Sequence, residues 1–242
     1  IDDGKQAISY NFGFFDPSEP DFVGNFIKGR MNYILAALPL EQDLAYYRES
    51  GRGVSIQWLN LSTAQTETIN TRLQFLARPE NAHYRYEYFT NNCATKVRDV
   101  LDEALAGELN KQLTASSHGN SYRSESVRLA WPAKWMAMGF DLALSGNADK
   151  PLSKWQDAFI PMLLQQDLAQ VMLSTRQPLV SETQRLLPNR ISPPPSEMPQ
   201  WSLAAMAVGL ALAGILAWAI RKPKLLGILQ LSFWFLSGLL GS

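Results

Sequence analysis

An α+β domain followed by membrane helices is the fold predicted for this 242-residue chain, and three observations predict it. Apolar residues alternate over residues 7–15 and 54–61 with the two-residue period of half-buried strands. Longer segments between and after them carry apolar residues three and four apart, as helices packed by one face do. Residues 203–220 and 225–242 are each 18 residues without a charge. As helices they measure about 27 Å, close to a bilayer's hydrocarbon core. The basic turn Arg221-Lys222-Pro223-Lys224 between them belongs on the cytoplasmic face by the positive-inside rule, which would set residues 1–200 outside the cytoplasm. A soluble helical hairpin would instead need a partner covering both segments on all sides.

In chain order, Ala7 to Phe15 reads as a strand with Ile8, Tyr10, Phe12 and Phe14 on one side. Phe22 to Leu38 has helical spacing and stops before Pro39, and Glu41 to Ser50 is a second helix ending at Gly51. Val54 to Leu61 is a strand. Ser62 and Gln65 form a capping-box pattern, so a helix is expected over 63–77 with Ile69, Leu73 and Leu76 inward, stopping at Arg78-Pro79. Tyr84 to Phe89 is an aromatic strand. Asn91-Asn92 then opens a helix from Cys93 to Ala106, with Ala94, Val97, Leu101, Ala104 and Leu105 as its apolar stripe before Gly107. Residues 108–130 read as a polar loop, and Trp131–Leu144 and Lys154–Leu173 as helices, the latter interrupted by Pro161. Five of the 14 prolines fall in 188–199, a stiff linker. The domains expected are therefore 1–187, a linker at 188–200 and a membrane region at 201–242.

Composition removes several functions. The chain has 22 Lys+Arg against 22 Asp+Glu, and three of the basic residues and none of the acidic ones lie beyond residue 200. The first 200 residues thus carry 19 − 22 = −3, the wrong sign for a nucleic-acid partner. One Cys and two His allow no internal disulfide and give little support to a metal site, and no cofactor is expected. Gly29-Arg30 and Gly51-Arg52-Gly53 lack phosphate-loop spacing and read as turns, and Glu87 and Asp149 have no visible carboxylate partner for glycosidase chemistry. The sequence has no initiating Met or signal peptide and opens in mid-strand, so it is expected to be a fragment.

Cys93 is the residue with reactive promise. At a helix start its sulfur meets unsatisfied N–H groups and the positive helix end, which favour thiolate and could hold an oxyanion. A buried, inert cysteine is the alternative, and an oxidising compartment favours a working thiol. For a base, His83 is set aside because about six extended residues would hold it roughly 20 Å away. His118, in Ser116-Ser117-His118-Gly119-Asn120, sits on a loop long enough to return to Cys93, or is simply solvated. Arg98 and Asp99 are either a surface pair or a salt bridge supporting the Cys93 turn, as Asn91 and Asn92 would support it from before the helix.

The run from Tyr84 to Leu101, Tyr-Arg-Tyr-Glu-Tyr-Phe-Thr-Asn-Asn-Cys-Ala-Thr-Lys-Val-Arg-Asp-Val-Leu, resembles the signature of the Lnb N-terminal periplasmic domain family. Supporting matches are Tyr10 to Asp16, Lys28-Gly29-Arg30 with Tyr33, Tyr122-Arg123, Gly139 to Leu142 and Ala148 to Lys150. The resemblance implies a papain-like, NlpC-type thiol-enzyme core with extra helices, ahead of transmembrane helices in a bacterial inner membrane, residues 1–200 being periplasmic. It implies lipoprotein N-acylation: Cys93 as nucleophile, a membrane phospholipid or lipoprotein as acyl donor, and a lipoprotein N-terminus as acceptor. It also implies a Gly-His base just ahead of Ile1, which weakens His118 and leaves this chain without its base. Cell-envelope hydrolysis by the same thiol, or non-catalytic lipoprotein binding, are the other expectations.

Overall fold

The computed structural model describes residues 7–15, 25 and 31–221. The chain forms two compact units, Ile1–Ser196 and Glu197–Ser242.

In the first unit, strand β1 (Ile8–Phe15) pairs antiparallel with β2 (Asn32–Pro39), which pairs antiparallel with β4 (His83–Arg85), in the order β1-β2-β4. Strand β2 replaces the end of the helix expected over 22–38; the start of that helix lies outside the described residues, Asn25 excepted. The apolar spacing at Ile34, Leu35 and Leu38 fits a helix or a buried strand, and the hydrogen-bonding edges of β1 and β4 decide for the strand. A bulge between Asn11 and Phe14 bends β1. There the Gly13 N–H donates to Asn11 Oδ1 at 2.8 Å, and a Cβ on Gly13 would lie 2.9 Å from that oxygen, so only glycine fits without a shift.

Helix α1 (Leu40–Glu49) follows β2 and ends before Gly51, whose φ of +70° takes the left-handed turn expected of it. Strand β3 (Val54–Leu59) pairs with β5 (Val180–Leu187) in a separate two-stranded sheet. The sequence does not announce β5, because only Val180 of its eight residues is buried and no alternation results. Helix α2 (Thr63–Leu76) starts at the expected capping box, Ser62 accepting from the Gln65 N–H while Gln65 Oε1 accepts from the Ser62 N–H.

Helix α3 (Cys93–Ala104) separates two cores. On one side Val100 joins Phe12, Leu35 and Leu73, so that α2 and α3 cover the three-stranded sheet. On the other, Ala94, Leu101 and Leu105 pack with Leu109, Leu113 and Leu164. Residues 108–130 are not a loop: they form α4 (Glu108–Thr114) and α5 (Tyr122–Ala130), the latter opened by a Ser121–Ser124 capping box. Leu109, Leu113 and Val127 are almost wholly buried, and α5 also buries Glu125 and Arg128, which pair with each other at 2.5 Å. Helix α6 (Lys134–Ala143) follows, then α7 (Lys154–Asp157) and α8 (Pro161–Leu168). Pro161 begins α8 rather than interrupting a helix, since its missing N–H costs nothing in the first turn. The proline-rich stretch has no regular structure and is held at two points: the Arg190 N–H donates to Gly51 O at 2.9 Å, and Arg128 Nη1 donates to Pro195 O at 2.9 Å.

In the second unit, α9 (Ser202–Ile220) is 19 residues of uncharged sequence. The expected transmembrane helices are not found as such: among the described residues no helix is long and apolar enough to cross a membrane. At 1.5 Å per residue α9 is about 28 Å long, slightly under a typical 30 Å hydrocarbon core. The second apolar stretch, 225–242, lies outside the described residues.

One buried acid weakens the fold at neutral pH. Asp157 is wholly buried, and among the described residues its Oδ1 has no hydrogen-bond partner and Oδ2 has only Asn120 Nδ2 at 3.4 Å. Burial raises its pKa from 3.8 to about 6, outweighing the nearby His118. The folded state therefore binds this proton more tightly than the unfolded state, and stability falls as pH rises from about 4 through 6. The penalty at pH 7 is of the order of 2–3 kcal/mol. Asp157→Asn is expected to raise the melting temperature at pH 7 by several degrees and to change little near pH 4, as thermal denaturation at the two pH values would show.

Candidate active site

Cys93 is the first residue of α3, and the sequence shapes the turn before it. The sequence predicts a strand from Tyr84 to Phe89; the regular strand is only His83–Arg85, and the chain then closes a tight turn in which Glu87 and Asn91 exchange both backbone hydrogen bonds at 3.0 Å. Asn91 Nδ2 braces this turn on Arg85 O at 2.6 Å. Asn92 is the cap: its Oδ1 accepts from the Thr95 N–H at 3.0 Å, and Thr95 Oγ1 accepts from the Asn92 N–H at 2.8 Å. The Asn92 amide also donates to Tyr88 O at 3.0 Å and Phe159 O at 2.8 Å, so one buried side chain ties the Cys93 turn to the start of α8.

The sulfur is half-buried and lines an open cavity of about 460 Å³. One wall is apolar, from Phe12, Val97, Leu164 and Leu168. Val97, expected inside the helix stripe, is 41% exposed there, while Thr95 and Arg98 are buried in its stead. The other wall is polar and includes Ser9, Asn11, Asp43, Tyr47 and Gln57. The bulge in β1 sets Asn11 against Tyr47, its Nδ2 donating to the phenol oxygen at 3.5 Å. Gln57 Nε2 donates to Gln165 O at 2.9 Å, joining β3 to α8 across the cavity floor.

Electrostatics correct one expectation. The backbone N–H groups of Cys93 and Ala94 do point at the sulfur and lower its pKa, but burial is the larger effect and pushes the thiol above its ordinary value. The helix end alone does not make a thiolate. Behind the sulfur stands a tyrosine cluster: Tyr33 stacks on Tyr86 at 4.2 Å, and the Tyr84 hydroxyl donates to Phe12 O. Burial raises all three phenols, Tyr84 and Tyr86 well above their usual range. They are neutral hydrogen-bond donors at physiological pH.

The remaining residues singled out by the sequence divide into two groups. Arg98 supports the turn from behind: its Nη2 pairs with Asp99 Oδ1 at 2.6 Å, its Nη1 donates to Trp155 O at 2.6 Å, and its guanidinium carbon lies 3.8 Å from the Trp155 ring centre. That buried stack pins α3 to α7. His118 is placed elsewhere. Its Nε2 lies 3.0 Å from Oδ1 of the buried Asp167, which also pairs with Lys154 Nζ at 2.9 Å, and it is not among the residues lining the Cys93 cavity. His83 is exposed opposite Ile34 and does not line it either. The residues between His83 and Cys93 are folded back at the Glu87–Asn91 turn rather than extended, so chain length does not hold the two about 20 Å apart.

The polar wall escaped the sequence reading. Ser9, Asp43, Tyr47 and Gln57 sit on three different elements among ordinary surface-type residues. The one available signal was Asp43, an acid on the face of α1 that the packing buries. No curated protein and no solved structure matches the chain. The family model of the Lnb N-terminal periplasmic domain matches residues 5–130, which is 126 of 242 residues, and the chain belongs to that family.

Proposed function

We propose that the protein is a thiol-dependent acyltransferase of the bacterial envelope that acylates the N-terminal amine of lipoproteins. A family of periplasmic domains indicates an envelope location. The observation that carries the reading is Cys93 at the mouth of α3, lining an accessible cavity with the N–H groups of Cys93 and Ala94 directed at its sulfur. In this reading the Cys93 sulfur attacks the ester carbonyl of a membrane phospholipid or lipoprotein. The C–S bond forms, the ester C–O bond breaks, and the lysolipid alcohol leaves with the thiol's proton. Backbone N–H groups hold the oxyanion during the attack. The acceptor amine then attacks the thioester, the C–N bond forms, and sulfur departs as the thiol.

The apolar wall suits an acyl chain, and the polar wall suits the two headgroups. A helix on a small antiparallel sheet with the thiol at its start is the arrangement that a papain-like, NlpC-type core would use. Neither His83 nor His118 lines the cavity, so in this reading neither takes the Cys93 proton. The uncharged α9, flanked by Trp201 and Arg221, serves in this reading as the segment that attaches the protein to the inner membrane. Anchoring keeps the site beside two substrates that stay in the membrane.

The test is expression from the full reading frame in a strain without its own lipoprotein N-acylation, with lipoprotein N-termini read by mass spectrometry. Triacylated or N-acylated termini are expected. Unchanged diacyl termini from a folded, membrane-associated protein would overturn the transferase. Cleaved envelope peptides in that case would identify the hydrolase instead.

A further inference from the structure

Asp43 is the one formally charged residue among the described residues that line the Cys93 cavity. It is 8% exposed, on the inner face of α1. Ser9 Oγ donates to its Oδ2 at 2.5 Å, and among the described residues no cation pairs with it. A carboxylate removed from most of its water and left without a counter-charge is a strong attractor for a cation entering the same cavity. Asp43 lies in the first turn of α1, whose positive end suits an acid, and the β1 residues that line the cavity with it, Ser9, Tyr10, Asn11 and Phe12, carry no charge. The other polar residues lining the cavity are neutral, so Asp43 supplies its formal charge, while Phe12, Val97, Leu164 and Leu168 supply apolar lining.

We propose that Asp43 and Ser9 form the acceptor subsite, which captures the α-ammonium group of an incoming lipoprotein N-terminus opposite the acyl-thioester. The inference rests on the transferase reading and names its second substrate's binding residue. The ammonium group docks on the carboxylate and gives one proton to solvent. The neutral amine attacks the thioester carbonyl, and Asp43 then faces a nitrogen on which positive charge is growing. That nitrogen's surplus proton passes to the departing Cys93 sulfur, which leaves an amide and the thiol. By concentrating the cationic acceptor beside the thioester, the carboxylate raises aminolysis relative to hydrolysis.

The test uses the full-length protein in detergent with a diacylated lipopeptide bearing a free α-amine and its N-acetyl counterpart as a competing ligand. The wild type is expected to bind the free-amine form at least about tenfold more tightly. Asp43→Asn is expected to abolish that preference and raise the KM for the free-amine lipopeptide at least about tenfold, an effect larger than any change in the rate at which intact-mass spectra show the acyl group arriving on Cys93. Equal binding of the two lipopeptides by the wild type overturns the subsite, as does an Asp43→Asn variant that keeps the preference. Loss of Cys93 acylation in Asp43→Asn overturns it in favour of a role in activating the thiol. Absence of any acyl-Cys93 in the wild type is a different failure, because it removes the transferase reading itself.

Discussion

Replacement of Cys93 by serine is expected to reduce acyl transfer by about a thousandfold or more, because a hydroxyl in the same position has neither the acidity nor the nucleophilicity of the thiol. Folding should be spared. The side chains differ by one atom, and Cys93 is only half-buried at a cavity wall, so thermal denaturation of the variant should stay close to that of the wild type. Retained lipoprotein N-acylation in Cys93→Ser would remove the thiol from the mechanism. The raised thiol pKa adds a pH signature. Burial holds the sulfur protonated at neutral pH, so alkylation of Cys93 in residues 1–242 should accelerate steadily as pH rises into the alkaline range. A rate already level at neutral pH would show that a group supplied by this chain draws the proton away.

The second large effect belongs to Asn92. Its side chain caps α3 and satisfies two carbonyls, those of Tyr88 and Phe159, in a buried setting. Asn92→Ala removes a cap worth about 1 kcal/mol and strands two carbonyls at about 1 kcal/mol or more each. A loss of about 3–4 kcal/mol is expected, or a drop in melting temperature near 10 °C for a domain of this size. Activity should fall even below the unfolding temperature, since the cap sets the direction of the Cys93 and Ala94 N–H groups. Asn92→Asp restores the cap acceptor but cannot donate to the two carbonyls, so it should recover only a minor part of the lost stability. Equal stability of Asn92→Ala and wild type in chemical denaturation would show that the three hydrogen bonds contribute nothing.

Much of the site's local chemistry was legible in the residues themselves. The Asn92–Thr95 cap, the start of α3 at Cys93 and the Ser62–Gln65 capping box follow from side chains that bond to their own neighbouring backbone, and such bonds need no tertiary partner. Sequence distance misled where the chain doubled back. The aromatic run after Arg85 alternates like a strand, yet its backbone groups pair within a turn. The residues from Asn32 to Leu38 have helical spacing, yet two strands stood ready to accept their hydrogen bonds. The short helices α4 and α5 were hidden by polar composition, because the cover over Leu109 and Leu113 and the pairing that lets α5 bury Glu125 with Arg128 come only with the assembled core.

The sequence by itself determined that a single cysteine opens a capped helix, that the domain is mixed α+β, and that it belongs with the Lnb periplasmic domains. Only the tertiary structure decided the state of that cysteine and its company: a half-buried sulfur whose pKa burial raises, His118 drawn away to Asp167, and Asp43 brought from another element to share the cavity. The division has one physical cause. Capping and turn bonds act over three or four residues and are written in the local sequence, whereas desolvation and cavity charge depend on atoms that folding brings in from distant parts of the chain.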